Sequence, residues 1–197
     1  MNYRLGVFGF AAAEVLKSQR AENNGLRDQH LALEWIRDNI GAFGGDPSRV
    51  TLFGQSFGSI SVGLHLIAWG GEQDALFHRA ILASGGIAGE RNDTDAKENT
   101  AFFVKKLDCP MENNIVDQEV LACLRTMPLD SLVDANIDVA RERQPPYGFK
   151  AFTPVVDGDI IPEPPKQLMK EGRFLKSKHE HFSLKPPAAI EMINQIL

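Results

Sequence analysis

The segment Gly54-Gln55-Ser56-Phe57-Gly58 separates two stretches of different hydrophobic pattern. Before it, residues 49–53 form a short run of apolar and β-branched residues, which is typical of a buried parallel strand. After it, Ile60, Leu64 and Ile67 recur at the spacing of a helix with one apolar stripe. The chain is therefore predicted to pass from a strand to a helix through a tight turn at the serine.

The alternation of strand and helix extends to both sides of this turn. Residues 2–5 and 79–83 are predicted to be further strands. Residues 26–41 are predicted to form a helix whose apolar stripe contains Ala32, Trp35, Ile36 and Ile40. Strand, helix, strand, helix, strand is the order that builds a mainly parallel sheet flanked by helices on both faces. The predicted fold class is α/β.

Beyond residue 90 the pattern becomes more helical. Helices are predicted over residues 95–108, 117–125 and 162–171, and one more strand is predicted from Phe152 to Val156. Residues 177–197 fit no part of the α/β alternation, and we interpret them as a tail.

A GxSxG pentapeptide between a strand and a helix has the form of a nucleophile elbow, a strained turn that presents a serine above a sheet. In this interpretation Gly54 and Gly58 are small so that the strand and the helix approach closely, and Gln55 lies beside the serine. The Phe57 amide would donate a hydrogen bond to an oxyanion, because the amino end of a helix attracts negative charge. The alternative is a glycine-rich turn that holds an ordinary buried serine.

A serine hydroxyl becomes a good nucleophile only when a base, normally a histidine, takes its proton. Among the histidines that follow Ser56, His65 lies in the next predicted helix and His78 just before a predicted strand, and we expect both to lie away from the catalytic end. His179 and His181 lie in the tail, and their spacing lacks the HExxH pattern of a helical zinc site. The sequence therefore assigns neither a catalytic base nor a metal site.

Composition argues against some classes of function. The formal charge of -5 and the isoelectric point near 5.5, without a basic cluster, favour neither nucleic acid nor an anionic membrane as a partner. No apolar stretch approaches the roughly 18 residues that a membrane-spanning helix needs. The apolar stretch after Arg4 has some features of a signal peptide, but its internal glycines favour a strand that ends in a turn at Gly6 and Gly9. Cys109 and Cys123 match no zinc or CxxC spacing, so they are either free thiols or one disulfide.

The run from Phe43 to Gly58 strongly resembles the signature of the type-B carboxylesterase family, which also contains fungal lipases and cholinesterases. The resemblance covers residues 2 to about 176. It includes Phe77-His78-Arg79-Ala80, Cys123-Leu124-Arg125 and Pro154-Val155-Val156-Asp157-Gly158.

This resemblance implies a partial α/β-hydrolase fold over residues 1–176 and a divergent C-terminal tail over residues 177–197. It implies that Ser56 is the nucleophile of a carboxylic-ester hydrolase that works through an acyl-enzyme, with the Phe57 N–H as an oxyanion donor. It also implies a disulfide between Cys109 and Cys123, secretion from the cell, a small-molecule ester or lipid as substrate, and no cofactor.

Three departures from the family pattern bear on activity. The glycine-rich oxyanion segment of the family would precede the stretch Asn2-Tyr3-Arg4-Leu5-Gly6, which lies at the start of this chain. Residues 177–197 stand where the family continues toward its catalytic acid and histidine. Phe57 occupies a position where the family usually has alanine. The resemblance therefore predicts a chain truncated at both ends and catalytically incomplete, and the alternative is a non-catalytic fragment or binding module of the cholinesterase-like family.

Overall fold

The computed structural model describes residues 1–87, 93–143 and 151–176. In chain order the helices and strands are α1 (Gly6–Phe10), α2 (Glu14–Ser18), α3 (Asn24–Asn39), β1 (Thr51–Gln55), α4 (Phe57–Ile67), β2 (Arg79–Ala83), α5 (Asp93–Lys106), α6 (Gln118–Thr126), α7 (Leu129–Arg143) and α8 (Pro165–Lys170). Short 3-10 turns lie at Ile40–Phe43, Pro47–Arg49 and Ala68–Gly71. The chain forms two compact units: the described part of the first comprises Met1, 29–87 and 159–176, and that of the second comprises 2–28, 93–143 and 151–158.

The first unit contains a two-stranded parallel sheet whose strands are joined by α4. β1 and β2 pair in register from Thr51 opposite Arg79 to Gln55 opposite Ala83. The prediction of a strand over residues 79–83 is confirmed, whereas β1 begins two residues later than predicted. The delay has a local cause, because the Asp46 side chain accepts a hydrogen bond from the Ser48 amide and caps a 3-10 turn there.

The predicted helix after β1 is confirmed as α4, but its buried surface is wider than one stripe. Every residue from Ser61 to Ile67 is buried, and so is Ser59. A Cβ placed on Gly63 would lie 2.9 Å from the Ile87 nitrogen, so the segment after β2 packs directly on the helix backbone. A helix covered on most sides is the expected centre of a βαβ unit whose sheet and neighbouring elements pack around it.

The core of the first unit contains Leu33, Leu66, Leu76 and Phe77, with Leu175 packed against it. The helix predicted over residues 26–41 is confirmed as α3 and continues into the 3-10 turn at Ile40–Phe43. Trp35 was expected in its buried stripe, but the side chain is 52% exposed and contacts the Phe43 ring. Trp35 lies two positions after buried Leu33, which is about 200° around a helix, so it points away from the core.

The helix predicted over residues 162–171 begins later, as α8 at Pro165. Proline lacks the N–H that a helix interior needs, and so it suits the first helical position. Leu168 is fully buried, and the segment beyond α8 returns to α4 through a 2.7 Å hydrogen bond from the Leu175 amide to the Leu66 carbonyl.

The second unit is mainly helical. α5 and α7 pack against each other, and Val104, Val120 and Val139 from α5, α6 and α7 are almost completely buried. The predictions for α5 and α6 are confirmed with shifts of one or two residues at their ends. Cys109 and Cys123 form a disulfide, with 5.8 Å between their Cα atoms, which confirms the pairing that the family resemblance implied.

Two predicted strands are wrong. Residues 2–5 form no strand: Arg4 is held by Asp28, which accepts 3.0 Å and 2.6 Å hydrogen bonds from its backbone amide and its guanidinium, and residues after it enter α1. Phe152 to Val156 also lies outside any strand. There the Asn23 side chain donates to the Val155 carbonyl at 2.8 Å and accepts from the Val155 amide at 2.9 Å, in place of a neighbouring strand.

Across the described residues, no helix combines the length and the apolar character needed to cross a bilayer. The predicted tail over residues 177–197, with His179 and His181, lies outside the described residues.

Candidate active site

Ser56 is the single residue between the end of β1 and the start of α4. Its backbone has φ 54° and ψ -115°, a conformation that is strained for any residue with a Cβ. Its amide donates to the Ala83 carbonyl at 2.9 Å, and its carbonyl accepts from the Ile60 amide at 3.1 Å. The residue is exposed, so the alternative of a buried serine in a glycine-rich turn does not describe it.

The glycines around the turn differ in how closely other backbone atoms approach them. A Cβ placed on Gly54 would lie 2.6 Å from the Ser59 nitrogen and closer still to the Gly58 carbonyl, so strand and helix backbones are in direct contact there. A Cβ on Gly85, just after β2, would lie 2.8 Å from the Ser56 carbonyl oxygen. A Cβ on Gly58 would meet no atom within 4 Å, and so the close approach requires glycine at position 54 but not at 58.

The amino end of α4 lies directly beside Ser56, because the helix begins at Phe57. Amides in the first turn of a helix have no acceptor within the helix, and the helix dipole adds partial positive charge there. The Phe57 N–H is the first of these amides. Gln55 and Phe57, on either side of the serine, are both exposed.

Ser84 ends β2 in a similar way at the same edge of the sheet. Its φ is also 54°, and the register that sets Gln55 opposite Ala83 brings it beside Ser56. Two glycines, rather than a helix, follow it. The sequence analysis predicted the strand over residues 79–83 and did not single out Ser84, although a count along the paired strands would have placed it next to Ser56.

Ser59, one helical turn after Ser56, is fully buried, and its hydroxyl has no hydrogen-bond partner among the described residues. It lies against the segment after β2, since a Cβ on Gly85 would come within 2.9 Å of its Oγ. The neighbouring buried serine, Ser61, differs because its hydroxyl accepts from the Gln29 side chain at 3.3 Å. Nothing in the sequence pattern signals this difference between the two serines.

The histidines in the described part of the chain do not approach Ser56. His65 is buried on α4, nine positions and roughly 13 Å along the helix axis from the serine, and its Nε2 lies 3.0 Å from Oε1 of Gln29. Burial and, secondarily, the nearby His30 lower the pKa of His65 to about 4, so the ring is neutral. His30 packs against the Trp69 ring in the same cluster.

His78 lies at the other end of the sheet from Ser56. It precedes β2, whereas Ser56 follows the parallel strand β1, and a five-residue strand is roughly 17 Å long. Its Nδ1 accepts from the Val50 amide at 3.3 Å. Within residues 1–87, 93–143 and 151–176, no group of three or more histidine, cysteine or carboxylate side chains is arranged to hold a metal ion.

Residues 1–180 match the sequence profile of the carboxylesterase family. This chain belongs to the carboxylesterase family. The parallel β1–α4–β2 unit is accordingly a part of the α/β-hydrolase fold, as the strand and helix pattern predicted.

Individual carboxylesterase relatives match over most of this chain and a minor part of their own length. A secreted lipase of Arthroderma benhamiae is 43% identical over 178 residues, which are 88% of this chain and 31% of the lipase. Lipase 1 of Geotrichum candidum is 37% identical over 186 residues, 89% of this chain and 32% of that enzyme. An inactive carboxylesterase-like protein of Byssochlamys spectabilis is 36% identical over 177 residues, 88% of this chain and 30% of that protein. The chain thus spans about a third of the length of these relatives.

Proposed function

We propose that this chain carries the nucleophile of a carboxylic-ester hydrolase and that Ser56 is that nucleophile. The observation that supports the proposal is the backbone of Ser56, strained at φ 54° and ψ -115° between a parallel strand and a helix, with the residue exposed. Strained backbone of this kind persists only where surrounding contacts hold it. Here the Ala83 carbonyl, the Gly54 approach and the first turn of α4 supply those contacts.

In the proposed reaction the Ser56 Oγ forms a bond to the ester carbonyl carbon, and the carbonyl oxygen becomes an oxyanion that accepts from the Phe57 N–H. The bond to the alcohol oxygen then breaks, and the alcohol leaves with the serine proton. Water adds to the resulting acyl-enzyme, which releases the carboxylic acid and restores the serine hydroxyl. These steps need no cofactor.

A base must carry the proton in both half-reactions, and in this fold it is a histidine that follows the nucleophile and a carboxylate in the chain. His65 is hydrogen-bonded and neutral inside the core, and His78 lies at the opposite end of β2. In this proposal the base therefore comes from outside the described residues.

The proposed substrate is a small-molecule ester or a lipid ester. The names of two relatives, a secreted lipase and lipase 1, support this class. The net charge of -5 without a basic cluster does not favour nucleic acid as a partner.

We also propose that the protein works outside the cell. The Cys109–Cys123 disulfide supports this location, because structural disulfides persist in oxidising compartments. Thiol alkylation of the native protein, before and after reduction, tests the disulfide on which this proposal rests: two new alkylation sites after reduction alone are expected, and alkylation without reduction would remove the support for an extracellular location.

A second candidate function is that of a non-catalytic member of the family. Two observations favour it: no histidine of the described residues lies near Ser56, and one relative is named as inactive. Under this alternative the elbow is retained as a folding feature only.

Labelling with a fluorophosphonate separates the two candidates. An activated Ser56 should form a covalent adduct with the purified chain, and Ser56→Ala should abolish it. Peptide mapping provides an internal control, since Ser84 has the same positive φ but lacks a following helix, and it should carry no label. Equal labelling of the wild type and the Ser56→Ala variant would exclude the hydrolase proposal.

A further inference from the structure

Phe57 is a partly exposed aromatic residue at the start of α4, most of which is buried. Its side chain is 38% exposed, whereas Ser59 and all residues from Ser61 to Ile67 are buried. Burial of apolar surface stabilises the folded state by about 25 cal/mol for each Å². An aromatic ring that remains partly in water therefore contributes less than a fully buried one. Packing of α4 therefore uses only part of the Phe57 surface.

The surroundings of Phe57 are small and open. The segments that follow the two strands contain Ser56 and Gly58 on one side and residues 84–87 on the other, and phenylalanine is the bulkiest side chain among them. A Cβ placed on Gly58 or on Gly86 would meet no atom within 4 Å. The described residues thus leave open space beside Gly58 and Gly86, and Phe57 is the largest side chain in these segments.

The distance from this ring to the reacting atoms follows from the oxyanion contact. An oxyanion held by the Phe57 N–H would lie about 2.9 Å from the amide nitrogen. The Cβ of the same residue is about 2.5 Å from that nitrogen by covalent geometry. The side chain therefore starts within roughly 5 Å of the carbonyl oxygen of a bound ester. At this distance the ring can reach a group attached to the carbonyl carbon.

We infer that the Phe57 ring limits the size of the group attached to the ester carbonyl carbon, so that the site accepts unbranched substituents better than branched ones. This inference rests on the proposed function of Ser56. It makes the Phe57 side chain a specificity-determining residue, separate from the backbone N–H, which every amino acid except proline would supply.

Matched phosphonate probes test the inference without requiring turnover. In each p-nitrophenyl phosphonate the Ser56 Oγ bonds to phosphorus, and the bond to p-nitrophenolate breaks. The leaving group takes the electron pair, and the serine proton passes to a base or to water. One pair of probes carries ethyl or cyclohexyl on phosphorus, which mimics the acyl group. A second pair carries ethoxy or cyclohexyloxy, which mimics the alcohol.

The purified wild-type chain should react faster with the unbranched member of a pair, and Phe57→Ala should reduce that preference by about tenfold or more in one of the two arms. The arm that changes identifies the substituent that meets the ring. Phe53→Ala is the matched control, because Phe53 on β1 is also exposed, at 58%, and its removal should leave both ratios unchanged. Phe57→Leu should give an intermediate ratio, and it replaces the alanine variant if that variant does not fold.

Unchanged ratios in both arms, or the same change in Phe53→Ala, would overturn the inference while leaving Ser56 as the nucleophile. Absence of any adduct on the wild-type chain, with all four probes, would instead reject the proposed function and the inference with it.

Discussion

The amide of Ser56 donates to the carbonyl of Ala83, so the residue that leaves β1 also makes the last hydrogen bond of the parallel pair. Its own carbonyl receives the Ile60 amide and starts the helix ladder of α4. The sheet and the helix are thus connected through one strained residue. Substitutions that change the packing around it should therefore change the free energy of unfolding.

Gly54→Ala should destabilise the chain by about 1–3 kcal/mol or more, because the new Cβ would overlap backbone atoms of Gly58 and Ser59 that cannot move away independently. Gly58→Ala is the matched control, since its Cβ has open space and alanine favours a helix. Urea unfolding followed by circular dichroism measures both. Equal midpoints for the two variants would contradict the close approach seen at Gly54.

Ser59→Ala should stabilise the chain by about 1 kcal/mol, because a buried hydroxyl without a hydrogen-bond partner carries an uncompensated desolvation cost. Ser61→Ala should have the opposite effect, since it leaves the Gln29 amide without the serine oxygen it donates to. Thermal melting of the two variants beside the wild type is the measurement. A lower melting temperature for Ser59→Ala would show that this hydroxyl does have a partner.

Glu22 should make the chain less stable as the pH rises. Its carboxyl is almost completely buried, and burial raises its pKa from 4.5 to about 7, with repulsion from Asp157 in the same direction. The Ala13 amide, Lys17 and Lys97 act against that rise. The folded state therefore holds a proton that the unfolded state releases above pH 4.5, and the free energy of unfolding should fall between pH 4.5 and about 7, by on the order of 3 kcal/mol.

Glu22→Gln should remove this pH dependence and stabilise the chain at pH 8, because the amide oxygen can still accept from Ala13 without any charge. The control is Glu14→Gln, at an exposed carboxylate paired with Lys97. Urea midpoints from pH 4.5 to 8 provide the test. A Glu22→Gln curve parallel to that of the wild type would mean that Glu22 titrates normally.

His65 should act in the opposite direction. Burial, and to a smaller extent His30, lower its pKa from 6.5 to about 4, so the unfolded chain binds a proton between these values that the folded chain refuses. The free energy of unfolding should therefore fall as the pH falls from 6.5 to 4. The two groups oppose each other between pH 4.5 and 6.5, and so the Glu22→Gln background exposes the histidine effect. In that background, His65→Gln should reduce the fall in the free energy of unfolding between pH 6.5 and 4. An equally steep fall in this variant would contradict the prediction.

The βαβ unit was predictable because its signals are local. β2 has a continuous apolar core between turn residues, and the glycine at position 54 and the helix after it can be recognised within a dozen residues. Asp46 shifted the start of β1 through its hydrogen bond to the Ser48 amide, a competition that hydrophobic pattern does not record.

The failed predictions share a different cause. Residues 2–5 and 152–156 have strand-like composition, but a strand exists only if another strand pairs with it, and the contacts of Arg4 with Asp28 and of Val155 with Asn23 take that place. α7 was not predicted from the sequence. It contains valine, asparagine and aspartate, which have low helix propensity, and its exposed apolar residues make the helical periodicity of its hydrophobic pattern less clear. The burial of Leu33 in preference to Trp35 was decided by tertiary packing.

Both tryptophans of the chain, exposed Trp35 and the half-buried Trp69 beside His30, belong to the first unit. Intrinsic tryptophan fluorescence therefore reports the unfolding of the first unit, which contains the sheet that carries Ser56. It does not report the unfolding of the helices around the disulfide. Comparing it with far-ultraviolet circular dichroism during denaturation would show whether the two units melt together or one after the other. Tryptophan fluorescence should therefore detect the pH dependence of stability that His65 causes in the first unit. It should detect the effect of Glu22, in the second unit, only if the two units unfold cooperatively.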